Sequence, residues 1–435
     1  MRILIVTHEF PPLNAIGAQR PYSWAKYWSR WGHTVCVLTT VKEPFDGPTD
    51  PAFDFNSIPG VRVKAVKYWP FSKPSAPEAE LPSSHTPPEP QKASFLTQLK
   101  MRVKQLRAQT GMGAVFSVRN LWITPAVKQA IDLHRQDPFD CIVSTYGPPA
   151  PHLVASRLKQ KLGLPWVADY RDLWFGSHYQ DATGLFGWLQ KTTEDRAVAR
   201  ADRLTTVSEP LRQTLHQRFK TPTFTVENGF DVEDLPSDRP LPPSSQTPTR
   251  LIYTGTIRAG SQVVQPLFKA LAELCERQSH LEKQLQVICY GLELGEVPQL
   301  IEQYYLSSIV KIEGYVPRQE ALKLQQEADG LLFLDWKDTS MDGILTGKIF
   351  EYLYSGTPIL GIGSYEHLAP GSLLQESGCG ICLGQDVPKI TNVLEQLISK
   401  QALPYQPCPE VLQRYTRSGL AQKMLHILQE LTGQP

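Results

Sequence analysis

Short apolar runs alternate with longer stretches of helical spacing along most of the chain, and this alternation constrains the fold more than any other feature. In the first half Ile3 to Thr7, Thr34 to Leu38, Val61 to Val66, Cys141 to Ser144, Trp166 to Asp169 and Arg203 to Val207 read as strands. Such runs show little polar face, so each strand must be covered on both sides. The helices between them supply that cover while returning the chain for the next parallel strand. The second half repeats the rhythm at Leu251 to Thr254, Gln286 to Tyr290, Val310 to Glu313, Gly330 to Leu334 and Pro358 to Gly361, with helices expected at Val264 to Arg277 and Arg318 to Ala328. The expectation is an α/β protein with two doubly wound parallel sheets, and 435 residues suffice for two buried cores.

The polar, proline-rich stretch Asp238 to Thr249 cannot hold a helix and reads as a linker. It sets the domains at residues 1–237 and 250–410, with 238–249 between them and a C-terminal helix, 411–435, expected to pack back towards the first domain. Ser72 to Ala93, rich in Pro, Ser and Glu, breaks the rhythm and reads as a mobile insertion. In residues 94–107, Phe95, Leu96, Leu99, Val103 and Leu106 recur at helical spacing beside Lys100, Arg102, Lys104 and Arg107. Two readings stand: a helix packed on its own domain with a solvated basic edge, or a peripheral contact with an anionic membrane.

Composition excludes several classes. Lys plus Arg number 44 against 43 Asp plus Glu, so a formal net charge of +1 provides no global field for nucleic acid. Seven thinly spread cysteines indicate reduced, cytosolic usage, and Cys379-Gly-Ile-Cys382, with no second pair or nearby His, reads as packing. No run reaches the roughly 18 apolar residues of a membrane span. Met1-Arg-Ile-Leu-Ile-Val leads directly into a strand, not a signal peptide. The expected location is the cytoplasm, at the inner face of the membrane if residues 94–107 bind lipid.

In doubly wound sheets ligands sit beyond the carboxyl ends of the strands, so chemistry is sought in the loops there. Thr7-His-Glu-Phe-Pro-Pro-Leu-Asn-Ala-Ile-Gly-Ala-Gln-Arg20 joins the first strand to a helix read over Pro21 to Trp31. Gly17 and Ala18 would let backbone N–H groups approach an anion, with Arg20 adding positive potential. Tyr253-Thr-Gly-Thr-Ile-Arg258 is a strand entering a turn at Gly255, and the Arg258 guanidinium suits phosphate oxygens. In Gly343-Ile-Leu-Thr-Gly-Lys-Ile-Phe-Glu-Tyr-Leu-Tyr-Ser-Gly-Thr-Pro-Ile-Leu360, the loop Gly343, Ile344, Leu345, Thr346 opens a helix through Tyr354. Its unbonded N–H groups suit a pyrophosphate, Glu351 can accept from ribose hydroxyls, and Lys348 lies one turn earlier on the same face.

Phe10-Pro-Pro with its glycine loop, Trp31-Gly-His-Thr-Val, Gly147-Pro-Pro, Asp169-Tyr-Arg-Asp-Leu-Trp174, Ala201-Asp-Arg-Leu-Thr-Thr-Val-Ser208, Val226-Glu-Asn-Gly-Phe-Asp231 and Lys348-x-x-Glu-Tyr before Gly-x-Pro follow one another along nearly the whole chain. In that order they resemble the family-four GT-B glycosyltransferases, of the retaining, group 1 type. The resemblance implies two Rossmann-like domains facing across a cleft, with the acceptor on the first and a nucleotide-diphosphate sugar donor on the second. It implies transfer with retention onto a sugar, lipid-linked or small-molecule acceptor in surface polysaccharide or glycolipid synthesis. Donor contacts are then expected at Gly17, Ala18, Gly255, Arg258, Gly343, Ile344, Leu345, Thr346, Lys348 and Glu351, with catalytic roles for Arg258, Lys348 and Asp342. Acceptor contacts are expected at Tyr146, Gly147, His152, Arg171 and Asp172. Neither a cofactor nor a metal is implied: there is no Asp-x-Asp at a strand end, and no paired carboxylates of the hydrolase kind are evident.

Two departures stand out. Many relatives carry a second glutamate eight positions before the one matching Glu351, where this chain has Gly343 next to Asp342; and no Lys occurs in Ala259 to Val264, where the family's second loop cation falls. They keep two alternatives open: a catalytically silent GT-B scaffold that binds nucleotide sugar, and a GT-B epimerase or phosphorylase.

Overall fold

The computed structural model describes residues 1–13, 15–47, 49, 58–69, 117–176, 184–234, 248–278, 280–338 and 345–434. The insertion at 72–93, the basic segment 94–107, most of the linker, and Asp342, Gly343 and Ile344 lie outside them. The chain divides into two compact units: Met1–Thr206 with Leu211–Thr225 and Leu425–Pro435, and Val207–Pro210 with Val226–Met424.

Unit 1 holds a parallel sheet of β1 (Arg2–Val6), β2 (Thr34–Thr40), β3 (Val61–Val66), β4 (Cys141–Thr145), β5 (Trp166–Tyr170), β6 (Arg203–Thr206) and β7 (Thr223–Thr225), in the order β3-β2-β1-β4-β5-β6-β7. Its helices are α1 (Ile16–Arg30), α2 (Ile123–Gln136), α3 (Ala150–Leu162), α4 (Gly184–Val198) and α5 (Glu209–Phe219). The centre of the sheet is where the apolar runs are densest. Ile3 pairs with Val35 on one side and Cys141 on the other, and Ile3, Leu4, Ile5 and Val6 are fully buried. Each such side chain contributes about 1.5–3 kcal/mol by leaving water. The order reverses between β1 and β4, which opens the crevice where such folds bind ligands.

One helix differs from its sequence reading. Pro21 was expected to start α1, yet the helix begins at Ile16 and contains Pro21. A proline near the first turn removes one backbone bond, and the buried, stacked Trp24 and Trp28, 5.8 Å apart, offset that cost. Gly17 and Ala18 therefore belong to the first helical turn and not to the loop before it.

Unit 2 repeats the plan with β8 (Thr249–Thr254), β9 (Leu285–Tyr290), β10 (Val310–Gly314), β11 (Gly330–Leu334), β12 (Ile359–Ile362) and β13 (Gly380–Gly384), all parallel, in the order β10-β9-β8-β11-β12-β13. Around them run α6 (Gln265–Arg277), α7 (Val297–Gln303), α8 (Arg318–Gln326), α9 (Gly347–Ser355), α10 (Ala369–Ser377), α11 (Val387–Ile398) and α12 (Pro409–Arg414), and α13 (Arg417–Thr432) closes the chain. The end of α13 belongs to unit 1, where Arg203 donates to the Ile427 carbonyl at 2.9 Å and pairs with Glu430 at 2.8 Å. β7 and β13 carry no signal in the apolar pattern. The first has three residues at a sheet edge, and the second is framed by glycines and contains the Cys-x-x-Cys pair. Both thiols of that pair are buried and free, directed at backbone carbonyls of Leu353, Ser377 and Gly371.

Candidate active site

In unit 1 the loops after β1, β4 and β5 converge on Arg171. Its Nε donates to the Tyr146 carbonyl at 2.9 Å, and its Nη1 pairs with Glu9 Oε2 at 2.9 Å. The Cα atoms of Gly17 and Gly147 lie directly against this pair: a Cβ on Gly17 would occupy the place of Arg171 Nη1 and Glu9 Oε2, and one on Gly147 that of Arg171 Nη2. Burial opposes the guanidinium charge, but Glu9, Asp172 and Asp169 outweigh it and hold the Arg171 pKa above its ordinary value. Gly17, Tyr146, Gly147, Arg171 and Asp172 gather at the carboxyl edge of one sheet. Glu9 was missed, although it lies inside the first-loop segment that drew attention to Gly17.

Three details of that reading need correction. Arg20 makes no loop potential, because its guanidinium is buried against Asp169, with Nη2 at 2.7 Å from Oδ1 and Nε at 3.0 Å from Oδ2. Thr145 and Thr205 donate to the same carboxylate, so the pair is saturated and ties α1 to β4, β5 and β6. Ala18 is fully buried, and its N–H is already bonded to the Ala15 carbonyl at 2.9 Å, which removes it as an anion donor. His152, expected at the acceptor, is shut off from solvent. It is fully buried beside Tyr170, with Nδ1 2.8 Å from Ser144 Oγ, and burial pushes its pKa down to about 3. It is a neutral packing group below the loop that carries Tyr146, whose ring stacks on Tyr170 and Trp174.

Unit 2 builds its site at the carboxyl ends of β8 and β11 and the start of α9. The chain leaves β8 through Gly255 at φ +114°, and the ammonium of Lys348 lies against that bare Cα. Lys348 Nζ donates to Tyr253 Oη at 2.5 Å and sits 3.8 Å from the centre of the same ring. Burial depresses the Lys348 pKa to about 7 against the opposing pull of Glu351. Thr346 caps α9 in extended conformation without a side-chain bond to the first turn; its carbonyl takes the Ile349 N–H at 3.2 Å, and the N–H groups of Gly347 and Lys348 are those suited to an external acceptor. Leu345, just before it, packs on the apolar cluster that includes Phe350 and Leu353. Arg258 is exposed on the turn after β8, its own N–H bonded to Gln262 Oε1 at 2.7 Å.

Glu351 is half-buried and accepts from Arg318 Nε at 3.3 Å, while Arg318 Nη1 pairs with Asp234 at 2.9 Å. Sequence reasoning missed Tyr253 and Arg318. The first was quoted only as a strand residue, and the second opens a helix 33 positions from its partner, a separation that no local spacing rule reaches. Among the described residues no group of three or more His, Cys, Asp or Glu could hold a metal. No helix there is long and apolar enough to cross a membrane.

Two parallel sheets of this strand order, each with its polar cluster at the carboxyl edge, define a GT-B fold. Residues 17–229 match the family described as "Glycosyl transferase 4-like domain". Among solved structures, sucrose-phosphate synthase from Thermosynechococcus elongatus is similar over 100% of this chain and 99% of that one, at 14% identity and a TM-score of 0.62. A glycosyltransferase from Rickettsia africae is similar over 99% and 98%, at 13% identity and TM-score 0.60. A UDP-N-acetylglucosamine 2-epimerase is similar over 100% and 98%, at 13% identity and TM-score 0.54. No curated protein matches by sequence.

Proposed function

We propose that the chain is a retaining glycosyltransferase of the hexosyl type that takes its sugar from a nucleotide diphosphate held by unit 2. The observation that carries this reading is the grouping of Gly255, Lys348 and Tyr253 beside the first turn of α9, with Glu351 one helical turn from Lys348. Glycine and helix N–H groups admit a diphosphate closely, Lys348 and Arg258 supply cations, and Glu351 accepts from the ribose. Negative charge grows on the diphosphate as the glycosidic bond breaks. Donors fixed in place before the reaction therefore stabilise the transition state more than the ground state. The leaving diphosphate takes the acceptor proton, so no protein base and no metal are needed. Asp342 is the carboxylate proposed to stand near the sugar. Tyr146, Arg171 and Asp172 face the acceptor, taken to be a precursor of surface polysaccharide or glycolipid in the cytoplasm.

Calorimetry with UDP, GDP, ADP and CMP, followed by slow donor hydrolysis without acceptor, tests the reading. Binding that is lost in Glu351→Ala supports it, and absence of nucleotide binding refutes it. The likeness to an epimerase gives one further reading, which the product decides: an epimerised nucleotide sugar in place of free sugar. Binding without turnover would indicate a silent scaffold.

A further inference from the structure

The Glu9–Arg171 pair does something that neither the fold nor the unit 2 site requires. Two glycines, one in the first turn of α1 and one in the loop after β4, leave their Cα atoms bare so that one guanidinium can fit between them, and a methyl group at either position would displace it. Arg171 is held there by its Nε bond to the Tyr146 carbonyl, while Nη1 is given to Glu9. Glu9 is the more exposed of the two, at 25% of its side chain against 13%, so it can swing out while Arg171 stays in place. A carboxylate and a phosphoryl group present the same pair of oxygens to a guanidinium fork. We propose that Arg171 is a phosphoryl receptor kept closed by Glu9, whose carboxylate is an internal stand-in that the ligand's phosphate must displace.

The local charges make the displacement consequential. Arg171 and Arg20 face Glu9, Asp172 and Asp169, a group carrying one excess negative charge until Glu9 leaves. Glu9 therefore both holds the receptor in shape and discriminates against weak anions, admitting only a group that binds the guanidinium better than a carboxylate. The phosphoryl group is either the donor's diphosphate or a phosphate on the acceptor. The proposal rests on the nucleotide-sugar reading only in the first case.

Glu9→Gln is the test, since it keeps the shape and one acceptor oxygen but removes the competing charge. Titrating UDP and glucose 6-phosphate by calorimetry into wild type and Glu9→Gln should show about tenfold tighter binding of one of them in the variant. The gain should be abolished in Glu9→Gln with Arg171→Gln. A gain for UDP alone assigns the receptor to the donor, and a gain for glucose 6-phosphate alone assigns it to a phosphorylated acceptor. A purely structural pair predicts the reverse, unchanged or weaker binding of both probes with a lower melting temperature, and that result would overturn the proposal. So would failure of both probes to bind either protein. Loss of UDP binding with a retained glucose 6-phosphate gain would refute the nucleotide reading and leave the receptor standing.

Discussion

Replacing Lys348 with arginine should remove a pH dependence of nucleotide binding that the surroundings of this lysine create. Its ammonium is half-buried over the Tyr253 ring, with Gly255 on one side and Glu351 a turn away. The neighbouring Cys289 thiol, pushed up to about 12 by burial, carries no charge to help it, and burial keeps the Tyr253 phenol protonated as well. With its pKa depressed to about 7, half of the free protein carries the charge at pH 7, and about one-hundredth at pH 9. A bound diphosphate restores the charge, so each binding event above pH 7 takes up a proton. Affinity for UDP or GDP should then fall about fiftyfold between pH 7 and 9, or about 2.3 kcal/mol. The second phosphate ionisation, near pH 6, is complete over that range and adds nothing. Calorimetry in buffers of different ionisation enthalpy reads both the affinity and the proton uptake. Lys348→Arg should bind with no slope, because a guanidinium stays charged throughout. A wild-type affinity that is flat from pH 7 to 9, or an arginine variant with the same slope, would refute the assignment of Lys348 to the phosphate.

Three further outcomes are expected. Glu351→Ala should weaken nucleotide binding by about 1.5–3 kcal/mol for each ribose bond lost, with circular dichroism unchanged, and equal affinities would exclude the ribose role. Gly17→Ala should leave the melting temperature unchanged or slightly raised, since alanine favours the first turn of α1 by about 1 kcal/mol. Its Cβ nevertheless displaces the Arg171–Glu9 pair, so turnover should collapse, and retained turnover would show that the pair is dispensable. Glu194 should make stability fall as pH rises. Burial lifts its carboxyl to about 7, against the pull of Arg218 at 2.9 Å, so between about 4.5 and 7 the folded state keeps a proton that the unfolded chain releases. That slope amounts to at most about 3 kcal/mol across the window. Glu194→Gln should abolish it in denaturant titrations at pH 5 and 8, and a variant with the wild-type slope would place the titration elsewhere.

The sheets were legible because their signal is local and repeated. An apolar run such as Ile3 to Val6 or Gly330 to Leu334 can only be a covered strand, and its neighbours follow from the right-handed crossover that a parallel connection requires. The weak spots are elements whose reason to exist lies outside their own sequence. β7 is ordered by pairing with β6, through Leu204 opposite Thr223, and not by any apolar pattern in Thr-Phe-Thr. The early start of α1 tolerates Pro21 because the buried, stacked Trp24 and Trp28 offset the one backbone bond a proline removes.

The candidate site divides along the same line, for a reason that bears on how it works. Positions of special backbone geometry are legible in the sequence, because Gly17, Gly255 and the residues opening α9 announce themselves by type and spacing, and the structure places them beside Arg171 and Lys348. The charges were not sorted correctly. A guanidinium in the sequence carries no sign of whether it faces solvent, a ligand or a carboxylate far along the chain. Arg20 and Arg171 both follow β-strands or open helices in suggestive motifs, yet the first is held by the fully buried Asp169 through two bonds while the second is paired with Glu9, a quarter exposed. That difference separates a structural arginine from one that can still take a ligand. Lys348 shows the same logic in unit 2. Its short bond to Tyr253 among the described residues, and burial that lowers its pKa to about 7, favour the arrival of an anion. In each unit, then, the residue to perturb is the one whose partner is provisional.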